Sequence, residues 1–284
     1  MLPGSIQITG EALSGGEIKD ICDSLKENSV RLLSVRACQL SDRDFGRVCG
    51  GVAQCHALAQ LNLNLGVVSN ICRVKQLAEA LTTNRSVQTL FLHGSPLTDA
   101  GLTCLNPALS THPSLVSLDL GDCMLGDEGL QLICGMLPPD GAKSGLKELT
   151  LSANPAVTSK GWARLAIAVA HSSQLRVLNL DYNPLDVCFP QIFLDMVENY
   201  PTCLRMLILA ENNISTELQQ QISDLLSEGE EEEEKEGEAL GGAGSRERER
   251  EREKTIWVAQ NNSSSHMVLV TSGLGDSLLA ETEM

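Results

Sequence analysis

Apolar residues recur along the first 227 residues in a repeating pattern, clearest over Leu115–Leu137, LVSLDLGDCMLGDEGLQLICGML. Leu118 and Leu120, two apart, put both side chains on one face of a short strand. Leu130, Ile133, Cys134 and Leu137 fall at i, i+3, i+4 and i+7, one stripe of a helix. The spacing predicts a strand, a tight turn and a returning helix, with every apolar face turned to one interior. The first strand anchor recurs as Ile6, Leu33, Leu61, Leu90, Leu118, Leu149, Leu178 and Leu207, at steps of 27 to 31 residues. Ordering one unit costs roughly 1–2 kcal/mol per residue in backbone entropy. Its eight or so aliphatic side chains return only about 1.5–3 kcal/mol each. A lone unit cannot close that gap, so the units are expected to stack.

The consensus carried by Leu115, Leu118, Leu120, Cys123 and Leu125, with a period near 28, resembles the ribonuclease-inhibitor type of leucine-rich repeat. That resemblance implies an α/β fold, a leucine-rich repeat solenoid. The expected shape is a curved horseshoe, with parallel strands on the concave face and helices on the convex face. Asn154, Asn183 and Asn212, with Cys38 and Cys123 at the same place, mark the turn leaving each strand. A short side chain there can satisfy backbone groups that no ladder reaches. The predicted repeat domain is 1–227, about eight units with the first one a cap. That cap is weak in its strand but carries Ile18, Ile21, Cys22 and Leu25 at helical spacing. At the far end Ser215 or Thr216 is expected to cap a closing helix bearing Leu218, Ile222, Leu225 and Leu226. Two irregularities break the pattern. The run PPDGAKS after Leu137 reads as a surface loop, and Phe189 stands where other units carry Gly101, Gly129 or Gly161. Removal of one whole period near Asp186 would keep the stacking frame.

Aromatic residues make up only 3% of the chain, so aliphatic side chains must build the core. The ten cysteines are scattered without a C-x-x-C pair, which fits reduced thiols used as small core hydrophobes. No cluster has zinc-ligand spacing. The start of the chain lacks the basic and apolar segments of a signal peptide, and no apolar run approaches the length of a membrane span. A soluble, cytoplasmic protein is expected, with no membrane partner and with the sequons at Asn84, Asn213 and Asn261 unused. From Glu228 the character changes to a segment with 15 acidic and 6 basic residues, within a chain of net charge −16. Residues 228–284 therefore read as an acidic, low-complexity, disordered tail. Its last residues, including Thr282 and Met284, resemble a PDZ ligand, so peptide docking through the tail is an expectation.

No catalytic constellation emerges. GMLPPDGAKS has the wrong glycine spacing for a phosphate loop and follows a helix rather than a strand. The five histidines lack the spacing of a triad. An acidic body and tail argue against nucleic acid. The expectation is a non-enzyme without cofactor or metal, an adaptor or scaffold gripping a basic or mixed protein partner on its concave face. Phe91, His93, Asp119, Asp122, Asn179, Asp181, Tyr182 and Glu211 are the candidate contact residues, the aromatics as anchors and the acids as charges. Two other functions stay open through resemblance. One is a GTPase-activating protein of the Ran-activator type, for which Arg36 and Arg43 are the candidate arginines. The other is a stoichiometric inhibitor of a basic enzyme.

Overall fold

Leu118 pairs with Leu90 on one side and Leu149 on the other, and every anchor between Ile6 and Leu207 is flanked in the same way. The computed structural model describes residues 4–137, 145–185, 188–200 and 202–227. The strands are β1 (Ser5–Gln7), β2 (Leu32–Ser34), β3 (Gln60–Asn62), β4 (Thr89–Phe91), β5 (Ser117–Asp119), β6 (Glu148–Thr150), β7 (Val177–Asn179) and β8 (Met206–Ile208). They form one parallel sheet in chain order, and the eight anchors from Ile6 to Leu207 lie in a single register. Between them run α1 (Gly15–Lys26), α2 (Asp42–Gln54), α3 (Ile71–Thr83), α4 (Thr98–Thr111), α5 (Asp127–Met136), α6 (Ser159–Ala170) and α7 (Cys188–Asn199). A further helical stretch, 216–227, follows β8. Each of α1 to α6 packs against the helix of the next unit. The aliphatic core lies between sheet and helices, one continuous cluster from Ile18 to Leu226.

The ladder runs past each three-residue strand. Leu120 donates to Thr150, Leu151 to Asn179 and Leu180 to Ile208, each at 2.9 Å. It ends where the chain turns toward the helix layer, with one residue per unit held left-handed. Ala37, Leu65, Asp122, Ala153, Tyr182 and Glu211 all have φ between 47° and 60°, and Gly10 and Gly94 take the same place in their units. Side chains at that angle cost roughly 1–2 kcal/mol relative to an ordinary backbone. The next residue secures the turn. The Asn154 amide accepts from the Leu125 backbone N–H and donates to Leu120 and Leu151, and Asn183 one unit on accepts from the Asn154 N–H and donates to Leu151 and Leu180. Cys38 and Cys123 keep only the donor half, toward Ile8 and Leu92.

Helix starts are secured in two ways. In the first units the cap is local: Ser14 forms a capping box with Glu17, and Ser41 and Asn70 accept from Asp44 and Arg73. Farther on it comes from the preceding unit, Asp99 accepting from Gly126 and Asp127 from Thr158. A methyl group on Gly129 or Gly161 would collide with those carboxylates, which is why both positions are glycine. Ser159 stands at the aspartate's place in the sixth unit, and Phe189 stands at the glycine's place in the seventh, fully buried and stacked on Phe193.

Ile18, Ile21, Cys22 and Leu25 are buried under the first unit. Ser215 accepts from the Leu218 N–H at the start of the last helix, which buries Ile222 and Leu226. Cys22, Cys38, Cys49, Cys55 and Cys123 are buried and Cys72 is exposed, and none of the described cysteines is in a disulfide. Burial pushes the Cys49 thiol up to about 12 and Cys134 to about 11, so these sulfurs stay protonated. Asn84 is buried, its amide bonded to Val52 and Cys55, which leaves no room for a glycan on the folded chain. The PPDGAKS loop, Asp186 and the whole of 228–284, with Thr282 and Met284, lie outside the described residues.

Candidate protein-interaction surface

The residue between the two strand anchors faces away from the helices, and in several units its side chain folds back onto the backbone. Asn62, Asp119 and Asn179 each accept from the N–H two residues on, at 2.8 to 3.0 Å. The residue two further along reaches to the next unit: Asn64 accepts from the His93 N–H, and Asp181 from the Ala210 N–H. These bonds divide the eight sequence candidates. Phe91, His93, Asp119 and Asp122 gather on the fourth and fifth units, Phe91 and Asp119 being register partners across β4 and β5. Asn179, Asp181, Tyr182 and Glu211 lie on the seventh and eighth.

In the first group Phe91, His93 and Asp119 are half-buried and Asp122 is exposed. The imidazole lies over Gly121, where any side chain would strike it, with Nδ1 3.7 Å from the Asp119 carboxylate. Asp119 raises the His93 pKa, so the pair adds stability below the imidazole's ordinary value of 6.5 and loses it as pH rises through the raised one. In the second group two expectations are corrected. Asn179 and Asp181, expected to be presented to a partner, are only 4% and 6% exposed, because backbone N–H groups claim their oxygens. Tyr182 remains 48% exposed and Glu211 is exposed, both at the left-handed turn rather than on the strand.

Burial raises the Asp181 pKa from 3.8. A carboxyl raised on folding adds stability below its unfolded value and loses it as pH rises through the folded one. At neutral pH the buried charge therefore works against the fold. Asp181→Asn keeps the acceptor for Ala210, as Asn64 does for His93. It is expected to stabilise the protein at neutral pH, with the advantage shrinking toward acid. Urea titrations of both proteins across the acid range check this, and a constant or inverted difference would contradict it.

Three exposed apolar side chains are spread along the strand-end edge, in the third, fifth and seventh units. Leu65 (42% exposed) lies against Gly94, Met124 (59%) follows Cys123, and Tyr182 is the third. Leu65 and Met124 escaped the sequence reading because neither fits a strand or helix stripe. The opposite, strand-start edge was also missed. There Arg31, Lys147, Arg176 and Arg205 stand two residues before their anchors, a recurrence visible in the chain. Arg36 lies just past β2 while Arg43 is in the first turn of α2, so the two candidate arginines belong to different layers. Among the described residues no group of His, Cys, Asp and Glu could hold a metal ion, and no helix is long and apolar enough to cross a membrane.

The Leucine Rich repeat family model matches residues 111–134. Leucine-rich repeat-containing protein 73 of Homo sapiens is 64% identical over 316 residues, covering 100% of both chains. The chain belongs to the leucine-rich repeat-containing protein 73 family. The rat member is 63% identical over the same span. That alignment is 32 positions longer than the 284-residue chain, about one repeat period. NACHT, LRR and PYD domains-containing protein 14 of Mus musculus is 30% identical over 194 residues, 67% of this chain and 19% of that protein. Among solved structures, the tropomodulin C-terminal domain of Caenorhabditis elegans covers 78% of this chain at a TM-score of 0.37 and 13% identity.

Proposed function

We propose that the chain is a protein-interaction scaffold that seats a basic protein segment on the sheet face and strand-end edge of its third to fifth units. One observation carries this reading. Leu65 is a large apolar residue, 42% exposed, in a left-handed conformation that disfavours it. Every unit turns left-handed at this place, and here the turn carries a large apolar side chain left in solvent, which a covering partner would bury. Met124, Phe91 and the exposed Asp122 extend the same surface, giving apolar anchors beside an acidic charge. Asp119 accepts from the Gly121 N–H and lies 3.7 Å from His93, which leaves the exposed Asp122 as the more open charge.

The test uses Leu65→Lys, Phe91→Ala and Asp122→Lys together, leaving Asp119 and Asp181 to their backbone bonds. Proximity labelling with this variant is expected to lose partners that the unaltered protein labels. Ile167→Lys, which changes an exposed apolar residue on α6, is expected to keep them. If both variants label the same proteins as the parent, the surface has been placed wrongly.

A further inference from the structure

The turns leading into β2, β3, β4 and β5 leave between them an open cleft of about 750 Å³ on the strand-start edge. Arg31, His56 and Arg85 line it, with no carboxylate among the lining residues. In a chain of net charge −16 that is a local reversal of sign. The two arginines also differ from others of the fold. Arg47 and Arg73 are paired with Asp44 and Asp42, while Arg176 and Arg205 donate to carbonyls of Cys203 and Thr202. Arg31 and Arg85 are exposed, and their guanidinium groups make neither an ion pair nor a hydrogen bond among the described residues.

The cleft's hydroxyls hold the turns instead of offering donors. Ser29 donates to Ser24, Ser86 to Cys55 and Ser114 to Arg85, so the backbone carrying Arg85 is tied to the turn of the next unit. Asn28 accepts from the His56 N–H and ties that turn to the unit before it. Arg31 leads into β2 and Arg85 into β4 with β3 between them, so at about 4.8 Å per strand the two stems are roughly 10 Å apart, a gap that two extended guanidinium side chains can span. Two planar, permanently charged forks lining one cleft match a doubly charged oxyanion better than a single carboxylate.

We infer that this cleft binds a phosphate monoester, clamped by Arg31 and Arg85. It is independent of the surface proposed above, which lies on the other edge of the sheet. The test titrates inorganic phosphate and a phosphoserine pentapeptide separately into the full-length protein, followed by calorimetry at low ionic strength. Both are expected to saturate and to compete for one site. Arg31→Gln and Arg85→Gln should each weaken binding about tenfold, the worth of one charge-assisted hydrogen-bonding group. Lys147→Gln, on the same edge but outside the cleft, should change it by no more than about twofold, as for a distant exposed charge. Tighter binding of the peptide assigns the phosphate to a protein, and equal binding assigns it to a small ester. The inference fails if neither probe saturates, if both arginine variants bind like the parent with unchanged thermal unfolding, or if Lys147→Gln loses as much as they do.

Discussion

Asn154→Ala is expected to lower the unfolding free energy by about 3–5 kcal/mol, from buried backbone groups left unpaired at about 1–3 kcal/mol each. The side chain is fully buried. Its oxygen accepts from Cys123 and Leu125 at 3.2 and 3.0 Å, and its nitrogen donates to Leu120, Leu151 and Ser152 at 3.1 to 3.2 Å. Leu151 keeps a second donor in Asn183, which holds the cost below the sum of the parts. Asn154→Cys should recover part of the loss, because a thiol supplies the donor as Cys123 does toward Leu92. The readout is urea unfolding by circular dichroism. The denaturant dependence should also fall, since weakening one layer of a stack lets its ends unfold separately. A loss below about 1 kcal/mol, the worth of one ordinary hydrogen bond, would show that the amide is not what holds the turn.

Arg73→Met should cost about 2–4 kcal/mol, between a lost hydrogen-bonded charge and a broken buried pair. Arg73 is only 8% exposed although it sits in the first turn of a helix, a poor place for a cation. It is kept there by Asp42 (Nε to Oδ1, 2.6 Å), by the carbonyls of Leu40 and Val67, and by the Phe45 ring 5.4 Å away. Methionine preserves the stem packing, so the loss reports the head group. Arg73→Lys should recover little, because one ammonium cannot serve the carboxylate and both carbonyls. Asp42→Asn should cost less, as Asp42 is 52% exposed and water can replace it. If Arg73→Lys matches the parent in urea unfolding, the fork geometry is irrelevant and simple charge suffices.

The leucine anchors were legible because one spacing serves two ends: it fixes which face is buried and, repeated, which residues lie side by side. All eight, from Ile6 to Leu207, fall into one register. The turn residues Asn154 and Asn183 were legible for a similar reason, since one chemical need recurs in every layer. Side-chain direction on the open face was not. Asp119 and Asn179 occupy equivalent positions and both accept from the N–H two residues on, yet Asp119 is half-buried and Asn179 buried. That difference rests on the neighbouring layers, which a period count does not describe. The left-handed angle at Leu65 and Tyr182 was equally hidden, because neither residue type favours it. The basic edge was visible in the chain, but only to a reading that looked before the anchors as well as after them.

The carboxylate of Asp99 or Asp127 and the glycine of the following unit work as key and keyway. Swapping layers in a redesigned chain must therefore move adjacent pairs. A layer bearing aspartate placed ahead of one bearing phenylalanine would jam, whereas serine ahead of glycine would leave an empty slot. The blocks of this wall look alike from the front, but each is cut to fit the one behind it.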